Sequence, residues 1–271
     1  MRKTIEFLAV VAIVWCLFGV AILLFQGSGT VGSKPSISAP QDVLEVSVKD
    51  KEDVLLEDVT AEDAEDGNLN TSVFVESISP FDEEQCRTVT YAVFDSDDNF
   101  SQTTRRIKYK DYETPKFTLK QSLDVAVTHD VTQIYNYFGA VSSVDGNISG
   151  KVSIVNINYD DLIYSFTVSV TDSCEITSQL SFEIKENLNS SNLEINLSDY
   201  LIYVKKGESI DPKDYLESVM QGNVENKEAL DKVSVIDNYD ADKPGMYEFV
   251  YEVQGSGNNY GTSTLYVVVE E

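Results

Sequence analysis

The chain contains little of what most enzymes use. It has a single histidine, His129, in a VTHD context that reads as a strand end or turn, so chemistry that needs two histidines is excluded and this one reads as a surface residue rather than a base. No Ser-His-Asp set, no His/Cys cluster at metal-ligand spacing and no Gly-rich phosphate loop is present, and no catalytic residue is assigned. Three cysteines do not make a disulfide scaffold, and one of them, Cys16, lies in the apolar N-terminal run. The only tryptophan, Trp15, lies there too, which leaves the rest without the best stacking platform for sugars. The aromatic cluster IYNYF at 134–138 is accordingly read as strand core. Positive charge is scarce. Twenty Lys and Arg face 46 Asp and Glu, a net charge of −26 that repels nucleic acid and anionic headgroups.

One long hydrophobic run is present. Arg2 and Lys3 precede FLAVVAIVWCLFGVAILLF at residues 7–25, and at about 1.5 Å per residue such a helix matches the roughly 30 Å hydrocarbon core of a bilayer. The segment lacks an Ala-x-Ala cleavage site and is too long for a signal-peptide core, so it reads as an uncleaved anchor. The charge bias predicts a cytoplasmic tip at 1–4, a span at 5–26 and an extracellular remainder, a single-pass plasma-membrane topology. Residues 27–40, GSGTVGSKPSISAP, read as a flexible tether.

Apolar residues make up 42% of the chain, enough for packed cores. Self-similarity organises them. AEDAEDGN at 61–68 returns as AVSSVDGN at 140–147, a shift of roughly eighty residues. TVTYAVFDSDDN at 88–99 returns as SFTVSVTDSCE at 165–175 and as YEFVYEVQGSGN at 247–258, which aligns Gln254 with Asp172. Val89, Tyr91 and Val93 alternate with Thr88, Thr90 and Ala92, a half-buried antiparallel strand. Each such strand is followed by a turn and a second alternating strand, a hairpin that closes the unit. The pattern predicts an all-β chain of three tandem sandwiches at 41–111, 112–186 and 193–271. DPKDYLESVMQG at 211–222 is the one segment with helical character. Units this small bury little core alone, so neighbours are expected to support one another.

The A-x-D-x-x-D-G-N motif, the Pro244-Gly245-Met246-Tyr247 turn and the closing hairpins resemble the Ig-like domains of bacterial surface proteins, also found in pesticidal crystal proteins. The resemblance implies adhesion, spacing or display, with no catalytic residues to carry over. The third unit lacks the Asp-Gly motif.

Calcium is the chemistry best suited to the acidic turns, because hard oxygen ligands from two loops and a linker suit that ion. The candidate ligands are Asp63, Asp66, Asp95 and Asp97 in the first unit, and Asp145, Asn147 and Asp172 with linker residues Asp111 and Glu113 in the second. The alternative is that Asp, Asn and Gly serve only as turn formers. Cys86 and Cys174 are placed either as an inter-domain disulfide or as two partly buried thiols. The functional expectation is a non-enzymatic, membrane-anchored surface protein that recognises a protein or surface ligand through its third domain. A stalk, or a membrane-complex subunit acting through its anchor helix, is the alternative.

Overall fold

The computed structural model describes residues 32–123, 131–185, 192–257 and 259–271, with the side chains of 131–133 and 185 excepted. The predicted span at 5–26 and His129 lie outside these residues. Among the described residues no helix is long and apolar enough to cross a membrane. The chain divides into two compact units, the first ending at Lys110 and the second spanning Asp111–Glu271.

The first unit carries β1 (Ser36–Ser38), β2 (Leu44–Val46), α1 (Glu52–Leu55), β3 (Thr60–Asp63), β4 (Gly67–Asn68), β5 (Phe74–Ile78), β6 (Arg87–Phe94) and β7 (Phe100–Tyr109). Its two sheets run β1-β3-β4 and β2-β7-β6-β5, with β2 parallel to β7 and the other pairs antiparallel. The alternation read from the sequence holds: Val89, Tyr91 and Val93 are buried between the sheets. The tether expected at 27–40 is overturned at its end. Residues 36–38 form β1, because Ile37 and Ala39 pack on the core while Ser36 and Ser38 pair with Glu62 and Thr60.

The second unit begins with β8 (Lys116–Leu119), β9 (Phe138–Ser142), β10 (Gly146–Asn147), β11 (Ser153–Asp160), β12 (Ile163–Thr171) and β13 (Thr177–Lys185). It continues through β14 (Glu194–Leu197), β15 (Leu201–Lys205), β16 (Leu216–Gln221), β17 (Val224–Glu225), α2 (Lys227–Leu230), β18 (Ser234–Asp237), β19 (Gly245–Gln254) and β20 (Tyr260–Glu270). Four sheets result, β10-β9-β8, β11-β12-β13, β14-β16-β17 and β15-β20-β19-β18, which pack as sandwich layers around two apolar clusters. These two share apolar contacts. Leu201 and Tyr266 of the last sandwich belong to the core built on Phe138, Phe166 and Phe182. Tyr266 meets Phe182 edge-on at 4.9 Å, and the Phe117 amide donates to the Tyr203 hydroxyl at 2.9 Å. Lys116 adds ion pairs to Glu113 and Glu270.

The segment at 211–222 is helical for a single turn. Asp211 caps a 3-10 turn at Pro212–Tyr215, and the alternating LESVMQ that follows pairs with β14 as β16. Tertiary pairing overrides a weak local preference there. This turn has a counterpart in the first unit. The Tyr251 hydroxyl donates to the Pro212 carbonyl at 2.5 Å, and the Tyr91 hydroxyl donates to the Leu55 carbonyl at 2.7 Å. In both sandwiches a buried tyrosine of the central strand ties down a short helical turn, and burial raises both phenols above the ordinary tyrosine range.

Candidate functional site

The Asp-Gly motif builds the same joint in the first two repeats. Asp63 Oδ1 accepts from the amides of Glu65 and Asp66, closing the turn between β3 and β4, and Gly67 sits at φ +72°. In the second repeat Ser142 Oγ accepts from the amides of Val144 and Asp145, with Gly146 at φ +67°. The aspartate before each glycine then reaches the opposite sheet. Asp66 Oδ2 accepts the Ser96 amide at 2.6 Å, and Asp145 Oδ2 accepts the Ser173 amide at 2.7 Å. Asn68 and Asn147 cap the next turn through the amides of Asn70 and Ser149.

The hairpin turns they reach are also aspartate-capped. Asp95 Oδ1 accepts from the amides of Asp97 and Asn99, and Asp172 Oδ1 accepts from those of Cys174 and Ile176. Asp95 Oδ2 takes the Asn99 side-chain amide at 2.9 Å, while Asp172 Oδ2 takes the Tyr112 hydroxyl at 2.7 Å. Burial and this contact push the Tyr112 phenol far above its usual range. Asp145 sits below the ordinary carboxylate value: burial works against its charge, but the Ser173 donors and Lys151 outweigh it.

The third repeat drops these devices. Its hairpin bond runs from the Gly255 amide to the Asn259 carbonyl, matching Asp95 to Asn99 and Asp172 to Ile176. Gly255 therefore takes the place of Asp172, and the sequence alignment on Gln254 is one residue out. A two-residue turn at Gly222 and Asn223 replaces the Asp-Gly turn.

The nine candidate ligands are thus spread over two units, and most have turn-forming duties. Asp97, Asp111 and Glu113 are exposed, and Glu113 pairs with Lys116. Among the described residues no group of three or more His, Cys, Asp or Glu side chains is arranged to hold a metal ion. Cys86 (4% exposed) and Cys174 (0%) are both buried, and neither forms a disulfide.

A feature that sequence reasoning missed lies on the outer face of the β5-β6-β7 sheet. Phe74 and Phe94 stack at 6.1 Å, and Phe94 meets Phe100 at 5.1 Å. Phe74 is 39% exposed and Phe94 48%, yet Ala92 between them is fully covered. Ladder register places Ser153, Thr171 and Thr177 at these positions in the second repeat, and Ser234, Gln254 and Tyr260 in the third. The repeat alignment held the signal. A phenylalanine flanking each side of DSDDN stands where the next copy has a threonine.

No protein-family model matches the chain, and no curated protein matches it. Solved structures that it is similar to include the CBM51-2 and INT domains of Clostridium perfringens ZmpB in complex with GlcNAc, at 20% identity and a TM-score of 0.23 over 59% of this chain and 31% of that one. The M60 catalytic domain of the same protein with its CBM51-1 and CBM51-2 domains matches at 11% identity and a TM-score of 0.24, over 87% of this chain and 31% of that one. Human CDH23 repeats EC21–23 match at 12% identity and 0.23, over 87% of this chain and all of the other. The chain spans about a third of the length of the two Clostridium structures. At these scores the likeness carries no argument, and the sandwich assignment rests on the sheets described above.

Proposed function

We propose that this is a non-enzymatic recognition protein of the bacterial surface Ig-like type, held outside the cell by its N-terminal apolar helix. In this reading it engages a protein partner through the Phe74–Phe94–Phe100 face. The observation that carries the reading is the contrast between repeats: three aromatic side chains stand outward where the same fold elsewhere places mostly Ser, Thr and Gln. A sandwich does not need these rings for its core, because Val89, Tyr91 and Val93 already fill it. Exposed aromatic clusters are the side chains that anchor protein interfaces. The adjoining loop carries Asp95, Asp97 and Asp98, so the fitting partner presents an apolar patch edged with basic residues. This moves the contacting surface from the third repeat to the first.

The test is the full-length chain with Phe74→Ser, Phe94→Thr and Phe100→Thr, the residues of the second repeat, used as bait in cross-linked capture from the native cells. Loss of a partner held by the unsubstituted chain, with an unchanged melting temperature, supports the reading. Equal capture by both chains removes it. The stalk alternative draws support from the core shared by the second and third sandwiches, which favours a stiff strut, and it predicts no specific capture by either chain.

A further inference from the structure

Asp63 has one carboxylate oxygen more than its structural duty requires. Its Oδ1 closes the β3–β4 turn, and a serine hydroxyl does the same work at Ser142. Its second oxygen, Oδ2, is buried and accepts no hydrogen bond, on a residue only 9% exposed. Leaving such an oxygen unpaired destabilises the fold, the more so when it is charged. The Glu65 side chain lies within hydrogen-bonding reach of the same carboxyl. Two ionised carboxylates hold only acceptors between them.

The Ser33 hydroxyl donates to Glu65 Oε2 at 3.0 Å. In the second repeat both members of the pair are gone. Ser142 stands for Asp63 and Val144 for Glu65, while the turn, the glycine and the Asp145 strap are kept. The extra carboxylates are therefore not part of the fold's requirement.

The geometry points to a single hard divalent cation, calcium by preference, bound at the β3–β4 turn of the first unit by Asp63 Oδ2 and the Glu65 carboxylate. The Ser33 hydroxyl and water complete its shell. Irregular, oxygen-only coordination with open water positions suits calcium better than magnesium, which demands a near-ideal octahedron. With two protein carboxylates the affinity falls in the weak extracellular range, a Kd of roughly 0.1–1 mM. The site is independent of the recognition surface proposed above.

The experiment is a titration of the full-length chain, purified through chelator, with calcium chloride, followed by calorimetry and by melting temperature. One saturable equivalent is expected, with a rise of roughly 6–11 °C in the first unit's transition at about ten times Kd. Asp63→Ser keeps the cap and should lose both the equivalent and the rise. Asp145→Ser, in the second repeat, should keep both. If Asp63→Ser folds poorly in chelator, Glu65→Val gives the same readout with the cap intact. No saturable binding by the unsubstituted chain, or undiminished binding in Asp63→Ser and Glu65→Val, overturns the site. Equal response to magnesium overturns the preference for calcium.

Discussion

Asp66 in the β3–β4 turn and Ser96 in the β6–β7 turn link the two sheets of the first sandwich and meet twice, the carboxylate accepting the serine amide at 2.6 Å and its hydroxyl at 2.8 Å. Asp145 and Ser173 repeat the amide contact in the second. An acidic motif that reads as ion-binding thus acts first as a strap between a turn and a hairpin. Hydrogen bonds to an ionised acceptor contribute about 1.5–3 kcal/mol. Asp145→Ala should destabilise the second unit by about that amount, with Asp145→Asn keeping part of it, as measured by urea unfolding.

The strap also sets an acid limit. Burial works against the charge on Asp145, but the Ser173 donors and Lys151 hold its carboxyl below the ordinary aspartate range in the folded state. A depressed carboxylate contributes stability that is fully present above the unfolded value and is lost as pH falls through the folded one. The unsubstituted chain should hold its stability down to about pH 4 and lose it below. Asp145→Asn should flatten that decline in pH-dependent melting curves, and an unchanged slope would exclude Asp145 as a contributor.

Tyr112 fixes the buried carboxylate of Asp172 from the linker side. Tyr112→Phe leaves Asp172 Oδ2 without that donor at a site only 4% exposed, and should cost about 1–3 kcal/mol. Asn99 holds Asp95 in the equivalent place, so Asn99→Ala should cost a similar amount in the first unit. Denaturant midpoints of the two variants measure both effects.

Tyr266 joins the last sandwich to the core of the one before it. Tyr266→Ala should cost about 3–5 kcal/mol, the range for removing a buried aromatic side chain, and split the melting of the second unit into two calorimetric transitions. A single transition in the variant would show that the two sandwiches do not depend on this contact.

Both described thiols lie in buried positions. A thiol reagent should leave Cys86 and Cys174 unlabelled in the native protein and label both after denaturation without reductant. Failure to label the denatured protein would mean that the two are oxidised.

The strands were legible because burial on one face of a sheet imposes a period of two, which β6 displays from Arg87 to Tyr91 and β12 from Phe166 to Thr171. The repeat was legible because each turn needs residues of fixed chemistry at fixed places, as Gly67 and Gly146 show with their positive φ. The sandwich class and the loops where the acidic residues gather follow from local pattern and can be read along the chain. What those residues do comes from the folded arrangement, because Asp66 and Ser96 lie thirty positions apart and their contact depends on how two sheets face each other. It alone also merged the second and third repeats through Tyr266 and Phe182, and brought Phe74 beside Phe94 and Phe100. Side chains distant in the chain become neighbours through ladder register and sheet packing, which single-strand periodicity does not encode.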